Sequence, residues 1–201
     1  MIKGKIGERE KRNMDKRQRV LDISKKLGLS HIGSCLSILP ILEEIYTKKR
    51  PEDKVLLCGA HSHLSHLLFI DPDNAEEKIK KDIHCNKEAG CDINGGSLGH
   101  AGGIAVGMAI ANPDIDIYLV DTDGSLQEGS CWEAFRIMTD LNLKNIKVYV
   151  NCNGYTATSV VDMPLLAIRI GAFCPSAKIC NTQDYQRGEF DGVAGHYLKA
   201  T

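Results

Sequence analysis

The chain has 201 residues, a formal net charge of −1 and 25% charged residues, which suits one domain with a real core. A near-neutral balance asks for no nucleic acid, and the absence of any long apolar run argues against a membrane span. Eight cysteines with no C-x-x-C pair, and no secretory signal, predict reduced thiols in a cytoplasmic protein.

Residues 3 to 19 hold eight Lys or Arg against three acids. Residues 1–18 are expected to form a basic, solvated arm that grades into a helix, and residues 19–201 one domain. Val20, Ile23 and Leu27 fall at helical spacing, with Gly28 as the stop. His31 follows in a short loop before a second apolar helix, Cys35 to Tyr46. Val55 to Cys58 reads as a strand ending at Gly59, which sets His61 at a strand's carboxyl end. His63 and His66 continue onto the next helix, as surface or core residues. Pro72 marks a turn before a charged helical run. Zinc on His84, Cys85 and Cys91 fits no usual ligand spacing.

Asn94 to Gly99 is a glycine-rich loop before a helix of small residues, Ala101 to Ala111. Glycines let a backbone approach a ligand closely, and a helix start offers N–H groups to an anion. A tight helix–sheet contact explains the same loop equally well. Ile115 to Val120 and Ile146 to Val150 read as two strands joined by an amphipathic helix. Asp121-Thr122-Asp123-Gly124 ends the first strand and Asn151-Cys152-Asn153-Gly154 the second. In an open parallel sheet, ligands bind in the crevice outside the carboxyl ends, so Asp123 and Asn153 are expected to face one site. A carboxylate, an amide oxygen and the nearby main-chain carbonyl of Tyr155 suit Mg²⁺, which keeps few protein ligands and shares phosphate oxygens. Asp121 competes with Asp123 as the ligand; Asp123 is preferred because it precedes Gly124, whose N–H can reach a diphosphate. Ser130 and Glu133 match a capping box, and Trp132, Phe135 and Met138 read as core or interface. Beyond Tyr155, Thr156 to Ser159 reads as an exposed loop, Met163 to Ile170 as a helix and Ala177 to Cys180 as a last strand.

D-G-S-L-Q-E-G-x-x-W-E-A from Asp123 to Ala134, followed by N-x-N-G, resembles the thiamine-diphosphate motif of the transketolase family. Ser30 to Ser34, Gly59-Ala60-His61, and Gly96 to His100 leading into Gly107-Met108-Ala109 match in the same order. The likeness extends from Arg19 to about Asn153, and is greatest to the amino-terminal subunit of transketolases split into two chains. It implies an α/β fold, a parallel sheet with helices on both faces that carries the diphosphate half of the cofactor site. The implied cofactors are thiamine diphosphate and Mg²⁺. The implied cofactor contacts are His61, Gly96, Ser97, Leu98, Asp123, Gly124, Ser125 and Asn153, with His31 facing the sugar. Acids at Glu128 and Glu133 would lie at the subunit contact between active sites. Lys87 stands where the family has a substrate-facing His, and Thr122 where it often has Gly. Arg187-Gly188 and Gly195-His196-Tyr197 match the end of split subunits faintly, and His196 is a weak substrate contact.

The family's cofactor-activating Glu belongs to a separate pyrimidine-binding domain, which this chain has no room for after Asn153. The resemblance therefore implies a transferase half-site, silent alone and completed by a pyrimidine-domain partner subunit, in a heterotetramer acting on sugars or sugar phosphates. Two alternatives stay open: the α subunit of a 2-oxo acid dehydrogenase, and a shortened, non-catalytic binding domain.

Overall fold

The computed structural model describes residues 2–185 and 187–199, with side chains described from residue 15 onward. Helices α1 (Ile2–Leu27) and α2 (Ile32–Lys48) precede strand β1 (Lys54–Leu57). Helices α3 (His63–Ile70), α4 (Ala75–Lys81) and α5 (His100–Ala111) lead to β2 (Ile117–Thr122). Then come α6 (Gly129–Asp140), β3 (Ile146–Cys152), α7 (Met163–Phe173), β4 (Lys178–Asn181) and the short α8 (Gly192–Gly195). Helix α1 is continuous through the stretch expected as an arm and ends at Gly28, whose φ is +62°.

All four strands are parallel, in the order β1-β2-β3-β4. β2 is buried along its whole length, as expected of a parallel strand covered on both faces. Strand alternation divides the core accordingly. Leu56, Leu119, Val148 and Val150 pack with residues of α5, α6 and α7. Val55, Leu57, Tyr118, Val120 and Tyr149 pack with Ile38, Ile41, Leu42 and Ile45 of α2 on the other face. A third cluster joins α1, α2, α3 and α4 through Val20, Leu36, Leu64 and Ile79. The expected α/β fold, a parallel sheet with helices on both faces, is therefore the observed one.

Helix α5 lies close against α6: a Cβ on Gly102 would stand 2.8 Å from the Cβ of Ala134. Phe135 and Met138 are buried between these layers, and Trp132 packs edge-on to Phe135 and Phe173. The capping box expected at Ser130 does not form. Helix α6 starts two residues earlier, with Glu128 as its cap and no side-chain hydrogen bond there. Glu133 instead pairs with Arg136 at 2.7 Å, because both lie one turn apart on the solvent face.

Candidate active site

Strands β2 and β3 are hydrogen-bonded neighbours with Thr122 opposite Asn151, so the residues that follow them leave the sheet side by side. A cavity of about 580 Å³ opens there, and both Asp123 and Asn153 line it. Asp123 is 1% exposed. Its Oδ2 accepts the Gly154 N–H at 2.6 Å and its Oδ1 the Gly124 N–H at 3.0 Å. The Gly124 N–H expected to be available to a diphosphate is thus engaged by the carboxylate beside it. Burial pushes the Asp123 carboxyl up to about 6, against the pull of the surrounding backbone N–H groups. Gly154 adopts φ +89°, which turns its N–H back toward the neighbouring strand tip.

Asn153 Oδ1 accepts the Tyr155 N–H at 3.0 Å, and Tyr155 also lines the cavity. Asp121 faces the opposite way. It is fully buried, its Oδ1 is bonded to Ser125 Oγ and the Thr122 N–H, and burial raises its carboxyl. Ser125 is consequently turned into the core beneath the loop instead of toward the cavity, its Oγ also accepting the Thr122 N–H at 2.9 Å. Asn151, buried near the end of β3, donates to Ser37 Oγ and accepts from Thr182 Oγ1, tying α2 and the segment after β4 to the cavity floor.

Three imidazoles form the opposite wall. His31 caps α2 with φ +62°, an uncommon conformation for a residue with a side chain. Ser30 Oγ holds its Nδ1 at 2.8 Å, and its N–H donates to the His196 carbonyl. Its ring lies 4.6 Å from that of His196 and 5.2 Å from that of His61. Burial, then the neighbouring histidines, push His31 down to about 4 and His61 to about 3, and burial lowers His196 too. All three rings are therefore neutral near pH 7, each offering one donor and one acceptor.

Gly96 and Leu98 of the glycine loop line the cavity, whereas Ser97 is exposed and does not. Gly99 has φ +83°, and a Cβ there would collide with Ser130 Oγ and stand 2.9 Å from Glu128 Cβ. Glu128 reaches the cavity rim. Glu133 lies outside it, in a shallow groove between α5 and α6 with Gly103, Ile104 and Ile137.

Two lining residues are not evident from the sequence. His84 lines the cavity, while Lys87, the position matched to the family's His, is exposed outside it. The reason is register: the loop from α4 is irregular, so counting back from Gly90 misses the turn. Arg187, only 4% exposed, donates to the carbonyls of Asn153 and Gln183 at 3.3 Å each and pairs with Asp191 at 2.6 Å. Its Nε is buried without a hydrogen-bond partner among the described residues. A buried, incompletely satisfied cation in a cavity wall calls for an anion. Oxygen donors at two strand tips, a guanidinium and three neutral imidazoles together suit a phosphorylated ligand held through a divalent ion.

No protein-family model matches the chain. Over 178 residues it is 30% identical to a transketolase family protein of Sinorhizobium fredii, covering 76% of this chain and 62% of that protein. Over 177 residues it is 27% identical to one of the subunits of the apulose-4-phosphate transketolase of Actinobacillus succinogenes, covering 73% and 64%. The chain thus spans less than two thirds of the length of either relative. The transketolase from Leishmania mexicana shares its fold, with a TM-score of 0.68 at 20% identity over 81% of this chain and 31% of that one. Over most of its length the chain is therefore similar in sequence to proteins named as transketolases or transketolase subunits, and it shares the α/β architecture of a transketolase.

Proposed function

We propose that the chain is the amino-terminal subunit of a two-chain, transketolase-like enzyme that binds thiamine diphosphate with Mg²⁺. It would transfer a two-carbon ketol unit between sugars or sugar phosphates once a pyrimidine-domain partner completes the site. The observation that carries this reading is the meeting of Asp123 and Asn153 at adjacent strand tips in one cavity. A carboxylate buried to 1% exposure and raised by desolvation gains most from a nearby cation. Asp123, Asn153 and the Tyr155 carbonyl would hold Mg²⁺, and the Arg187 guanidinium would face the diphosphate. Bound there, the cofactor would supply carbanion chemistry toward a ketose carbonyl, and the chain would bind, orient and shield it.

His31, His61 and His196 are neutral at pH 7, so they can donate to a sugar carbonyl or hydroxyl without bringing a charge. The α5–α6 face supports the need for a partner. Ile104 of the groove and Ile110 further along α5 are 38% and 56% exposed, and an added Cβ on Gly103 or Gly107 of the same helix would meet nothing. Small residues flanked by exposed apolar ones let a second helix pair approach closely, and Glu133 stands at that groove's rim. Among the described residues no helix is long and apolar enough to cross a membrane.

Calorimetric titration of thiamine diphosphate onto the full chain plus its partner, with and without Mg²⁺, tests the reading, together with a ketol-transfer assay. Mg²⁺-dependent binding and turnover only by the pair are expected. Turnover by the single chain, or no Mg²⁺-dependent heat from the pair, would overturn it.

A further inference from the structure

Residues 82–99 connect α4 to α5 without regular secondary structure, a length at which a compact domain needs some other constraint. The segment ends in the glycine loop that lines the cavity, so whatever fixes it also fixes Gly96 and Leu98. Its buried anchors include Cys85 and Cys91, 2% and 6% exposed. Both thiols converge on α3. The ligand atoms of His63, Cys85 and Cys91 all lie within 4.8 Å of one another, and all three residues are buried. One helical turn on, His66 brings its Nδ1 to 3.7 Å from Cys91 Sγ and 3.9 Å from Cys85 Sγ.

The outer faces of both rings are already engaged. His63 Nδ1 lies 3.2 Å from the Asp82 carbonyl, which fixes the proton on that nitrogen. His63 Nε2 is then a lone-pair acceptor, fully buried, with no hydrogen-bond partner among the described residues. His66 Nε2 lies 2.8 Å from the Tyr46 hydroxyl, leaving Nδ1 toward the sulfurs. An imidazole with one nitrogen on an oxygen and the other facing thiols is the arrangement found around bound metals. None of the four residues lines the cavity.

We propose that His63, His66, Cys85 and Cys91 form a closed, structural Zn²⁺ site that fastens the 82–99 segment to α3. Two thiolates and two imidazoles with no oxygen donor are a tetrahedral Zn²⁺ set, and full enclosure marks a structural ion. Zn–S and Zn–N bonds of about 2.3 and 2.0 Å put tetrahedral ligand atoms about 3.3–3.8 Å apart. The His66–sulfur distances already approach that spacing, and the remaining pairs need to close by about 1 Å. His84, the histidine beside Cys85 in the sequence, is excluded because it lines the cavity instead. A Cys85–Cys91 disulfide is the competing use of these thiols, but it offers His63 Nε2 no donor.

The full chain, purified without chelator from Zn²⁺-supplemented culture, should hold about one Zn²⁺ by mass spectrometry of metals. Exchange for Co²⁺ should give thiolate charge-transfer absorption together with tetrahedral ligand-field bands. Serine at Cys85 or Cys91 should abolish both signals. Because those variants can misfold, Tyr46→Phe, which keeps the fold and frees only the outer nitrogen of His66, should weaken Zn²⁺ binding roughly 10- to 100-fold. A chain with no stoichiometric metal, no charge-transfer band with Co²⁺, or a Cys85–Cys91 disulfide in the reduced-buffer preparation would overturn the proposal. None of these readouts requires catalysis.

Discussion

Two donor clusters lie on either side of the glycine loop, and their chemistry is opposite. At the strand tips, Asp123, Asn153 and Tyr155 present oxygen to an open cavity. Beneath the loop, His63, His66, Cys85 and Cys91 present nitrogen and sulfur to each other in a closed core. Hard oxygen donors with open space suit an ion that arrives with a phosphorylated ligand; borderline N/S donors without space suit one that stays. Fixing the loop between them lets one site be permanent and the other exchangeable.

The largest effect that can break this contrast comes from Asp123→Asn. Cofactor and Mg²⁺ binding by the assembled enzyme should fall at least roughly 100-fold, beyond the range seen for supporting residues, by calorimetry. In the lone chain the substitution should remove a pH-dependent stability cost, set against the loss of one N–H acceptor, since the Asn amide can accept only one of the two backbone bonds. With the folded carboxyl raised from 3.8 to about 6, the native state binds the proton more tightly than the unfolded one. Its contribution is full below about pH 4 and lost as pH rises through 6, a cost on the order of 2–3 kcal/mol at neutrality. Urea unfolding of the variant from pH 4 to 8 should therefore lack that decline. A less stable variant that still binds the cofactor would mean the carboxylate is structural.

Gly99→Ala attacks the shared loop. The positive φ and the collision of an added Cβ with Ser130 Oγ predict a loss of about 2 kcal/mol. That corresponds to a fall of about 4–8 °C in Tm for a chain of this size, measurable by calorimetry. An unchanged Tm would show that the loop tolerates movement and that neither cluster depends on its register.

The imidazole wall gives a pH dependence of opposite sign to Asp123. His61 titrates near 3 in the fold against an ordinary 6.5, so the unfolded chain binds its proton first on acidification. Its contribution is present above about pH 6.5 and lost as pH falls below it. His61→Asn should lower the slope of stability against pH between 4 and 6 by up to about 1.4 kcal/mol per pH unit. Chemical denaturation at several pH values reads this directly. An unaltered slope would place the burial of charge elsewhere in the wall, with His31 next to be tested.

How much of this is legible in the sequence depends on whether the information is local. The β2–α6–β3 unit can be read because apolar runs and their polar ends are contiguous; β3 reads two residues short only because Asn151 and Cys152 extend the ladder. Asp123 and Asn153 come together because each terminates a strand and neighbouring strands share an end. Ser125 and Glu133 match a motif, but a motif carries no direction: one turns into the core toward Asp121, the other sits on solvent with Arg136. The four N/S residues leave no fixed spacing to count, because they pair α3 with an irregular segment. Spacing alone sets Cys85 and Cys91 beside His84, the one histidine nearby that faces the cavity instead. Arg187 is hidden for a related reason, reaching the cavity from beyond β4, where the pattern weakens.

The smallest effect separates the rim from the groove. Glu128 reaches the cavity and Glu133 only the α5–α6 face, although the family motif groups them. Glu133 is exposed and its charge partner among the described residues is Arg136, so Glu133→Gln should leave unfolding of the single chain unchanged. If that face receives the second chain, the same variant should raise the dissociation constant of the pair a few-fold while kcat of the saturated complex holds, because rim charges act mainly on association. Glu128→Gln should show the reverse, with assembly intact and kcat or KM altered. Sedimentation of the mixed chains beside steady-state assays distinguishes the two. Were both acids to affect assembly alone, the cavity would end short of Glu128 and the catalytic site would be formed from the strand tips and the imidazole wall.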